Sequence, residues 1–193
     1  EISETALNLL ILKKYARDLL VSADPNEAVS TVLRPLQKRL PTQTWRSETQ
    51  IAYQQFSTPA TIAYLAVYLL NIKQGETILE PSCGTGSLAV WASAIGAKVI
   101  ANEIDPRRRG LALALGFHPY SFDAEFIDDL LPEHLLPDIV LANPPFSSTG
   151  GRVKNSSRDF GFRHIESALR RLKKGGRFAV ILGESGSPRS RNG

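Results

Sequence analysis

The amino-acid sequence predicts an α/β protein built on a doubly wound, mainly parallel sheet, with a helical segment at its N-terminus. Short strand-like runs alternate with amphipathic helical runs, which is the pattern that parallel sheets produce. A glycine-bearing turn follows the first strand directly, and the other unusual motifs also follow strands, where such sheets bind their ligands. The 193 residues are 42% hydrophobic, so the chain can bury one sizeable core.

The N-terminal part, residues 1–45, is predicted to be helical, and the main domain is predicted to cover residues 46–193. Apolar residues recur at helical spacing from residue 3 to about residue 40, and Pro25 marks a break between two helices. The polar, proline-containing stretch at residues 41–48 is the expected linker into the main domain.

Proline and glycine mark the ends of the elements predicted in the main domain. The first helix starts at Pro59, with Ser57 or Thr58 as its capping side chain, and Gly75 stops it. The other predicted helices cover residues 88–95, 106–116 and 162–174. The predicted strands are 77–80, 98–101, 120–122, 138–142 and 178–182. Only eleven residues follow Leu182, so the C-terminal part of the fold is expected to be truncated.

Charge and cysteine content exclude some classes of protein. Lys and Arg total 23 against 19 acidic residues, and the net charge of +4 tolerates a polyanionic partner without requiring one. The single cysteine, Cys83, rules out an internal disulfide framework, and no apolar run reaches the ~20 residues that cross a bilayer. We therefore expect a cytoplasmic protein without membrane contact. The basic runs at 107–109 and 170–174 are expected to be exposed helix faces.

The turn at residues 80–86, with the sequence E-P-S-C-G-T-G, is predicted to bind a ligand. Its glycines allow the backbone to approach a ligand and to present N–H groups to it. The turn also fits the relaxed dinucleotide fingerprint, with Glu103 at the distance of a ribose-binding acid, and a simple tight turn is a third interpretation. The Glu103 carboxylate can accept hydrogen bonds from both hydroxyls of a ribose, and Ile104 can lie against an adenine face.

Two aspartates near this turn can also be explained by helix capping. Asp105 stands directly before Pro106 as an N-cap, so the ribose role is assigned to Glu103. Asp123 follows the third strand, where it can accept a hydrogen bond from an adenine amine or can simply cap a helix.

The tetrapeptide Asn143-Pro144-Pro145-Phe146 ends the strand at 138–142 and is the most specific motif in the chain. The lone pair of an aryl amine is delocalised into its ring, so a catalyst of methyl transfer to that nitrogen should draw on both N–H groups. The side-chain oxygen of Asn143 and the carbonyl of Pro144 supply the two acceptors, and the prolines stiffen them. Phe146 offers a face on which a flipped base can stack, and no metal is required. The alternative is a proline-rich turn with Phe146 in the core.

Together these motifs make residues 56–182 resemble the S-adenosylmethionine-dependent DNA adenine-N6 methyltransferases, a group within the amino-methyltransferases. The resemblance implies a Rossmann-like class I methyltransferase fold, with an F-x-T-P motif at residues 56–59 that contacts the methionine end of the cofactor. It implies that the S-adenosylmethionine site is formed by Phe56, Thr58, Pro59, Glu80, Gly84, Gly86, Glu103, Ile104 and Asp123. The catalytic residues that it implies are Asn143, Pro144, Pro145 and Phe146.

The expected partner is double-stranded DNA with the target base flipped out. Family members usually carry a separate target-recognition domain, so sequence specificity is expected from residues or a subunit absent from this chain. Residues 147–161 are polar and basic, and they either close over a flipped nucleotide or form a solvated loop. Three alternatives stay open: an amino-methyltransferase acting on RNA or protein glutamine, a nicotinamide-dependent oxidoreductase, and a non-catalytic cofactor- or nucleic-acid-binding subunit.

Overall fold

The computed structural model describes residues 1–21, 24–41, 56–145 and 160–182, and the strands in these ranges form one parallel sheet. The strands are β1 (Thr77–Glu80), β2 (Lys98–Ala101), β3 (Ile139–Ala142) and β4 (Arg177–Val180). Their order is β2-β1-β3-β4, and every neighbouring pair is parallel. The chain forms β2 on one side of β1 and then crosses to form β3 on the other side. The predicted doubly wound fold is therefore confirmed.

The N-terminal part is helical, as predicted. Helix α1 (Ile2–Leu10) continues through a π-helical stretch (Ile11–Tyr15) into α2 (Ala16–Val21). After the predicted break come α3 (Pro25–Glu27), a second π-helical stretch (Ala28–Leu33) and α4 (Arg34–Gln37). The predicted boundary between residues 45 and 46 lies outside the described residues and stays a prediction.

The helices of the main domain follow the strands in the order expected. They are α5 (Ala60–Leu70), α6 (Ala89–Ala94), α7 (Pro106–Ala114), α8 (Ile127–Leu130) and α9 (Phe160–Arg170), with a 3₁₀ turn at Ala124–Phe126 before α8. In the described ranges, no helix has both the length and the apolar character that spanning a bilayer requires.

Both faces of the sheet are covered, which explains why its strands are apolar on both sides. Ile78 and Ile139 belong to a cluster that also contains residues of the N-terminal helices, α5 and α6. Leu79 and Val140 point to the opposite face and pack in a second cluster with residues of α8 and α9. The N-terminal helices thus share a core with the sheet rather than forming a separate one.

Three local predictions were wrong. Helix α5 ends at Leu70, with the left-handed Asn71 (φ 47°) as its C-cap, and Gly75 does not stop it. Its N-cap is Pro59, without a side-chain hydrogen bond, because the Ser57 and Thr58 hydroxyls have other partners. Residues 120–122 form no strand: Tyr120 makes a single bridge to Asn102, just after β2, and the Asn102 side chain occupies the backbone N–H and carbonyl of Phe122.

Candidate active site

The candidate site lies where the strand order reverses, between β1 and β3. Strands β1 and β3 are direct parallel neighbours, with Ile78 beside Ile139 and Leu79 beside Val140. The glycine turn leaves the carboxyl end of β1, and Asn143 follows the carboxyl end of β3. A crevice at such a reversal is the usual ligand site of open α/β sheets, so the two most informative motifs meet at the place that topology favours.

The two glycines of the turn adopt backbone conformations that favour glycine. Gly84 and Gly86 have positive φ angles of 55° and 82°, which side-chain-bearing residues rarely adopt. The turn is held from beneath by the N–H of Cys83, which donates to the carbonyl of Asn102 at 2.8 Å. From the N-terminal side, Nδ2 of Asn8 donates to the Thr85 carbonyl at 3.0 Å, so helix α1 anchors the turn.

Glu103 joins the ends of β1 and β2 through its carboxylate. Oε2 accepts from the N–H of Gly84 at 2.7 Å, and Oε1 accepts from the N–H of Asp105 at 2.9 Å. The pKa of Glu103 is raised, because the effect of burial outweighs the lowering by the Arg108 guanidinium and by these two N–H groups. A carboxylate has about four lone-pair positions, so acceptor capacity remains for the two hydroxyls of a ribose. Its predicted role in ribose binding stays a prediction.

The neighbouring acids are placed differently from Glu103. Asp105 caps α7 by accepting from the N–H groups of Arg107 (2.8 Å) and Arg108 (3.1 Å), which confirms the capping interpretation. The Asp123 carboxylate accepts from the N–H of Glu125 at 3.1 Å, so it also caps a turn. The predicted contacts of Asp123 and of the half-buried Ile104 with an adenine ring stay predictions.

Glu80 lies beneath the glycine turn and is only 2% exposed. Burial raises its pKa well above the ordinary value, and the Glu103 carboxylate raises it further, while the Ala89 N–H and Arg108 lower it. Its Oε2 atom has no hydrogen-bond partner among the described residues. The Glu80 carboxyl is therefore buried under the turn, and its predicted cofactor contact stays a prediction.

Asn143 is held by the F-S-T-P segment in one orientation. Its Nδ2 donates to the Thr58 hydroxyl at 2.9 Å and to the Phe56 carbonyl at 3.4 Å. A carbonyl can only accept, so this contact requires the NH₂ group, and not Oδ1, to face residues 56–58. Oδ1 is buried and has no hydrogen-bond partner among the described residues. The amide thus presents an unused acceptor on the side away from Thr58.

The rest of the N-P-P-F motif packs against helix α9. A Cβ added at Gly161 would lie 2.5 Å from the carbonyl oxygen of Pro145, so only glycine allows the helix this close. Pro144 is buried and Pro145 is half-buried. Phe146 lies outside the described residues, as does most of the segment at 147–161, and its stacking role stays a prediction.

Two side chains of the site were not assigned a role from the sequence. Asn102 is buried, and its side-chain amide forms hydrogen bonds with three backbone groups. It donates to the carbonyls of Pro81 (2.9 Å) and Phe122 (3.0 Å), and it accepts from the Phe122 N–H (2.8 Å). Arg108 was expected on an exposed helix face but is only 7% exposed. Its position three residues after the cap Asp105, one turn into α7, was the available signal, since that spacing returns a side chain to the cap side.

Comparisons with known proteins bear out the doubly wound, parallel sheet as a methyltransferase fold. A family model described as "RMKL-like, methyltransferase domain" matches residues 52–113. A tRNA (guanine(10)-N2)-dimethyltransferase from Methanocaldococcus jannaschii is 30% identical over 97 residues, which are 44% of this chain and 27% of that protein.

Solved structures show the same fold. TrmN from Thermus thermophilus superposes with a TM-score of 0.52 and 25% identity, covering 78% of this chain and 43% of that one. A type I restriction-modification methyltransferase subunit from Streptococcus thermophilus gives a TM-score of 0.55 at 21% identity, covering 83% and 44%. The chain thus spans less than half the length of each of these proteins.

These comparisons bear out the predicted methyltransferase fold and its S-adenosylmethionine cofactor. They do not bear out the DNA target, because the named relative modifies tRNA. The residues present suit this cofactor: Glu103 offers acceptors for a ribose, and Gly84 and Gly86 shape the turn that follows β1. When bound, S-adenosylmethionine supplies an electrophilic methyl group on a positively charged sulfur.

Proposed function

We propose that the chain is the catalytic part of a methyltransferase that modifies an exocyclic amine of a purine base in RNA. The observation that carries the proposal is the Asn143 amide, whose Nδ2 is anchored by Thr58 and Phe56 while its buried Oδ1 has no partner among the described residues. Leaving a buried acceptor unpaired costs ~1–3 kcal/mol. A substrate donor that enters the site recovers this interaction, and an amine N–H is such a donor.

The proposed chemistry uses two acceptors, the Asn143 side chain and the Pro144 backbone. Oδ1 of Asn143 accepts one hydrogen of the amine, and the Pro144 carbonyl accepts the other, because proline lacks an N–H but keeps its C=O. Both contacts pull electron density toward the nitrogen and favour its pyramidal, nucleophilic form. No strong base is needed, because the nitrogen becomes acidic once it is methylated and loses its proton to water.

RNA is the favoured target because relatives that align with the chain are tRNA guanine-N2 methyltransferases. The N2 amine of guanine and the N6 amine of adenine present the same pair of hydrogens to the site. Adenine N6 in DNA is the second candidate, and it is favoured by the combination of F-S-T-P at 56–59 with N-P-P-F at 143–146.

The target polymer can be tested by transfer of a labelled methyl group from S-adenosylmethionine. The full chain is incubated in parallel with unmodified tRNA, with duplex DNA and with protein, and incorporation into each is counted. The proposal predicts incorporation into tRNA above the other two. Incorporation into duplex DNA alone would replace the RNA target by DNA, and incorporation into protein alone would exclude both nucleic-acid targets.

A further inference from the structure

The Arg108 side chain extends from helix α7 across the glycine turn. A Cβ added at Gly84 would lie 2.7 Å from Nη2 and 3.0 Å from Cζ of Arg108, so the guanidinium occupies the space that a side chain at residue 84 would need. Nη2 also donates to the Ser57 hydroxyl at 3.3 Å. One cation therefore touches both the glycine turn and the F-S-T-P segment.

The hydrogen-bonding capacity of this guanidinium is only partly used. The Arg108 side chain is 8% exposed, and its Nε is buried without a hydrogen-bond partner among the described residues. The Glu1 carboxylate forms an ion pair with Nε at 3.6 Å, which is longer than a hydrogen bond. Arginine carries five N–H donors in a planar fork that fits a carboxylate in bidentate fashion.

From this position we propose that Arg108 binds the α-carboxylate of S-adenosylmethionine, an assignment that rests on the proposed function. The ribose belongs near Glu103, and the methyl group must reach the amine held by Asn143. Arg108 lies between these points, because it touches Gly84, whose N–H binds Glu103, and Ser57, which adjoins the Thr58 that holds Asn143. A bound cofactor would carry its amino-acid arm on that same sulfur, within reach of Arg108.

A purely structural role for Arg108 would look similar in the free protein. The guanidinium lowers the pKa of the buried Glu80 and Glu103 carboxyls, and a counterion of that kind needs no ligand. The two roles differ in one measurable way. A carboxylate-binding residue strengthens the binding only of ligands that carry the carboxylate. A structural residue strengthens the binding of every ligand that contacts the glycine turn.

The test compares S-adenosylmethionine with 5′-methylthioadenosine, which keeps the nucleoside and sulfur but lacks the amino-acid arm. Dissociation constants are measured by calorimetry for the unchanged chain and for Arg108→Gln and Arg108→Lys. We expect Arg108→Gln to weaken the binding of S-adenosylmethionine by about 10- to 100-fold and the binding of 5′-methylthioadenosine by less than about 3-fold. The S-adenosylmethionine affinity of Arg108→Lys should lie between those of the unchanged chain and Arg108→Gln, because lysine keeps the charge but lacks the planar guanidinium.

Arg107→Gln is the matched control, since Arg107 also pairs with Glu1, at 3.0 Å, but is half exposed. It should leave both dissociation constants within about 2-fold of the unchanged chain. Parallel losses for the two ligands in Arg108→Gln would overturn the carboxylate assignment and leave the proposed function intact. Failure of the unchanged chain to bind S-adenosylmethionine would overturn the proposed function and the assignment together.

Discussion

At the scale of single residues, the orientation of one amide determines what the site can do. In the proposed reaction, a flipped Asn143 would turn its NH₂ group toward the target amine and repel the hydrogens of that amine. The Phe56 carbonyl and the Thr58 hydroxyl prevent this flip, because the first can only accept and the second accepts at 2.9 Å. Thr58 is therefore a positioning residue for Asn143, in addition to any contact with the cofactor.

The positioning role predicts a contrast between two substitutions of Thr58. Thr58→Val keeps the shape and removes the hydroxyl, so we expect kcat to fall by about 10- to 100-fold with S-adenosylmethionine affinity nearly unchanged. Thr58→Ser keeps the hydroxyl and should stay within about 3-fold of the unchanged chain. Steady-state kinetics with calorimetry separate the two quantities. An equal loss of affinity and kcat in Thr58→Val would point to a cofactor contact instead.

Glu80 is a second residue whose environment has a measurable consequence. Its carboxyl is buried, and its pKa in the folded chain is raised well above the ordinary value of 4.5. Between 4.5 and the folded pKa, the folded chain holds a proton that the unfolded chain has lost. The stability contributed by this group is therefore fully present below pH 4.5 and is lost as the pH rises through the folded pKa.

Glu80→Gln should remove this pH dependence. In the unchanged chain, Glu80 lowers the free energy of unfolding by up to about 1.4 kcal/mol per pH unit within that window. The variant should show a correspondingly flatter profile in urea unfolding between pH 5 and pH 8. Superimposable slopes for the two proteins would mean that Glu80 titrates at its ordinary pKa in the folded chain.

At the scale of elements, helix α9 determines where the N-P-P turn lies. Ser167 donates to the Asp128 carboxylate at 2.6 Å, and Arg171, just after the helix, donates to the carbonyls of Asp128, Pro132 and Leu135. These contacts fix the helix against the segment before β3. Its first turn then meets the Pro145 carbonyl through Gly161.

Two glycine-to-alanine substitutions test this packing. Gly161→Ala forces a Cβ against the Pro145 carbonyl, so we expect a loss of ~1–3 kcal/mol in unfolding free energy and slower methyl transfer. In Gly110→Ala, in helix α7, the added Cβ would have no atom within 4 Å. This variant should stabilise the chain by ~0.5–1 kcal/mol without changing the rate of methyl transfer. Urea unfolding and single-turnover assays measure both effects. Two stabilising substitutions would contradict the close approach of α9 to the turn.

At the scale of the whole molecule, the sequence was informative wherever one residue type is required by local geometry. The N-cap at Asp105 was predicted from a local rule and is present, and the two glycines of the turn, Gly84 and Gly86, have positive φ angles. The alternation of strands and helices predicted the sheet for the same reason. The position of Asn143 at the end of β3 then followed from the topology.

Predictions failed where a polar group that was expected to act within its own segment contacts a residue far away in the sequence. Thr58 looked like a helix cap, but its hydroxyl accepts from Asn143, 85 residues away. The stretch at 120–122 looked like a strand, but the Asn102 side chain uses the backbone groups of Phe122 that a ladder would need. Arg108 looked like a surface charge and is buried against Gly84. Each depends on tertiary contacts that local spacing does not encode.

Identification of the methylated nucleoside is the sharpest test of whether this site methylates an exocyclic amine. RNA and DNA labelled by the chain with S-adenosylmethionine are digested to nucleosides and analysed by mass spectrometry, with Asn143→Ala as the control. We expect a methyl group on an exocyclic nitrogen, such as N2 of guanosine or N6 of adenosine, and its loss in Asn143→Ala. A methyl group on a ring carbon or a ribose hydroxyl, or full transfer by Asn143→Ala, would contradict it.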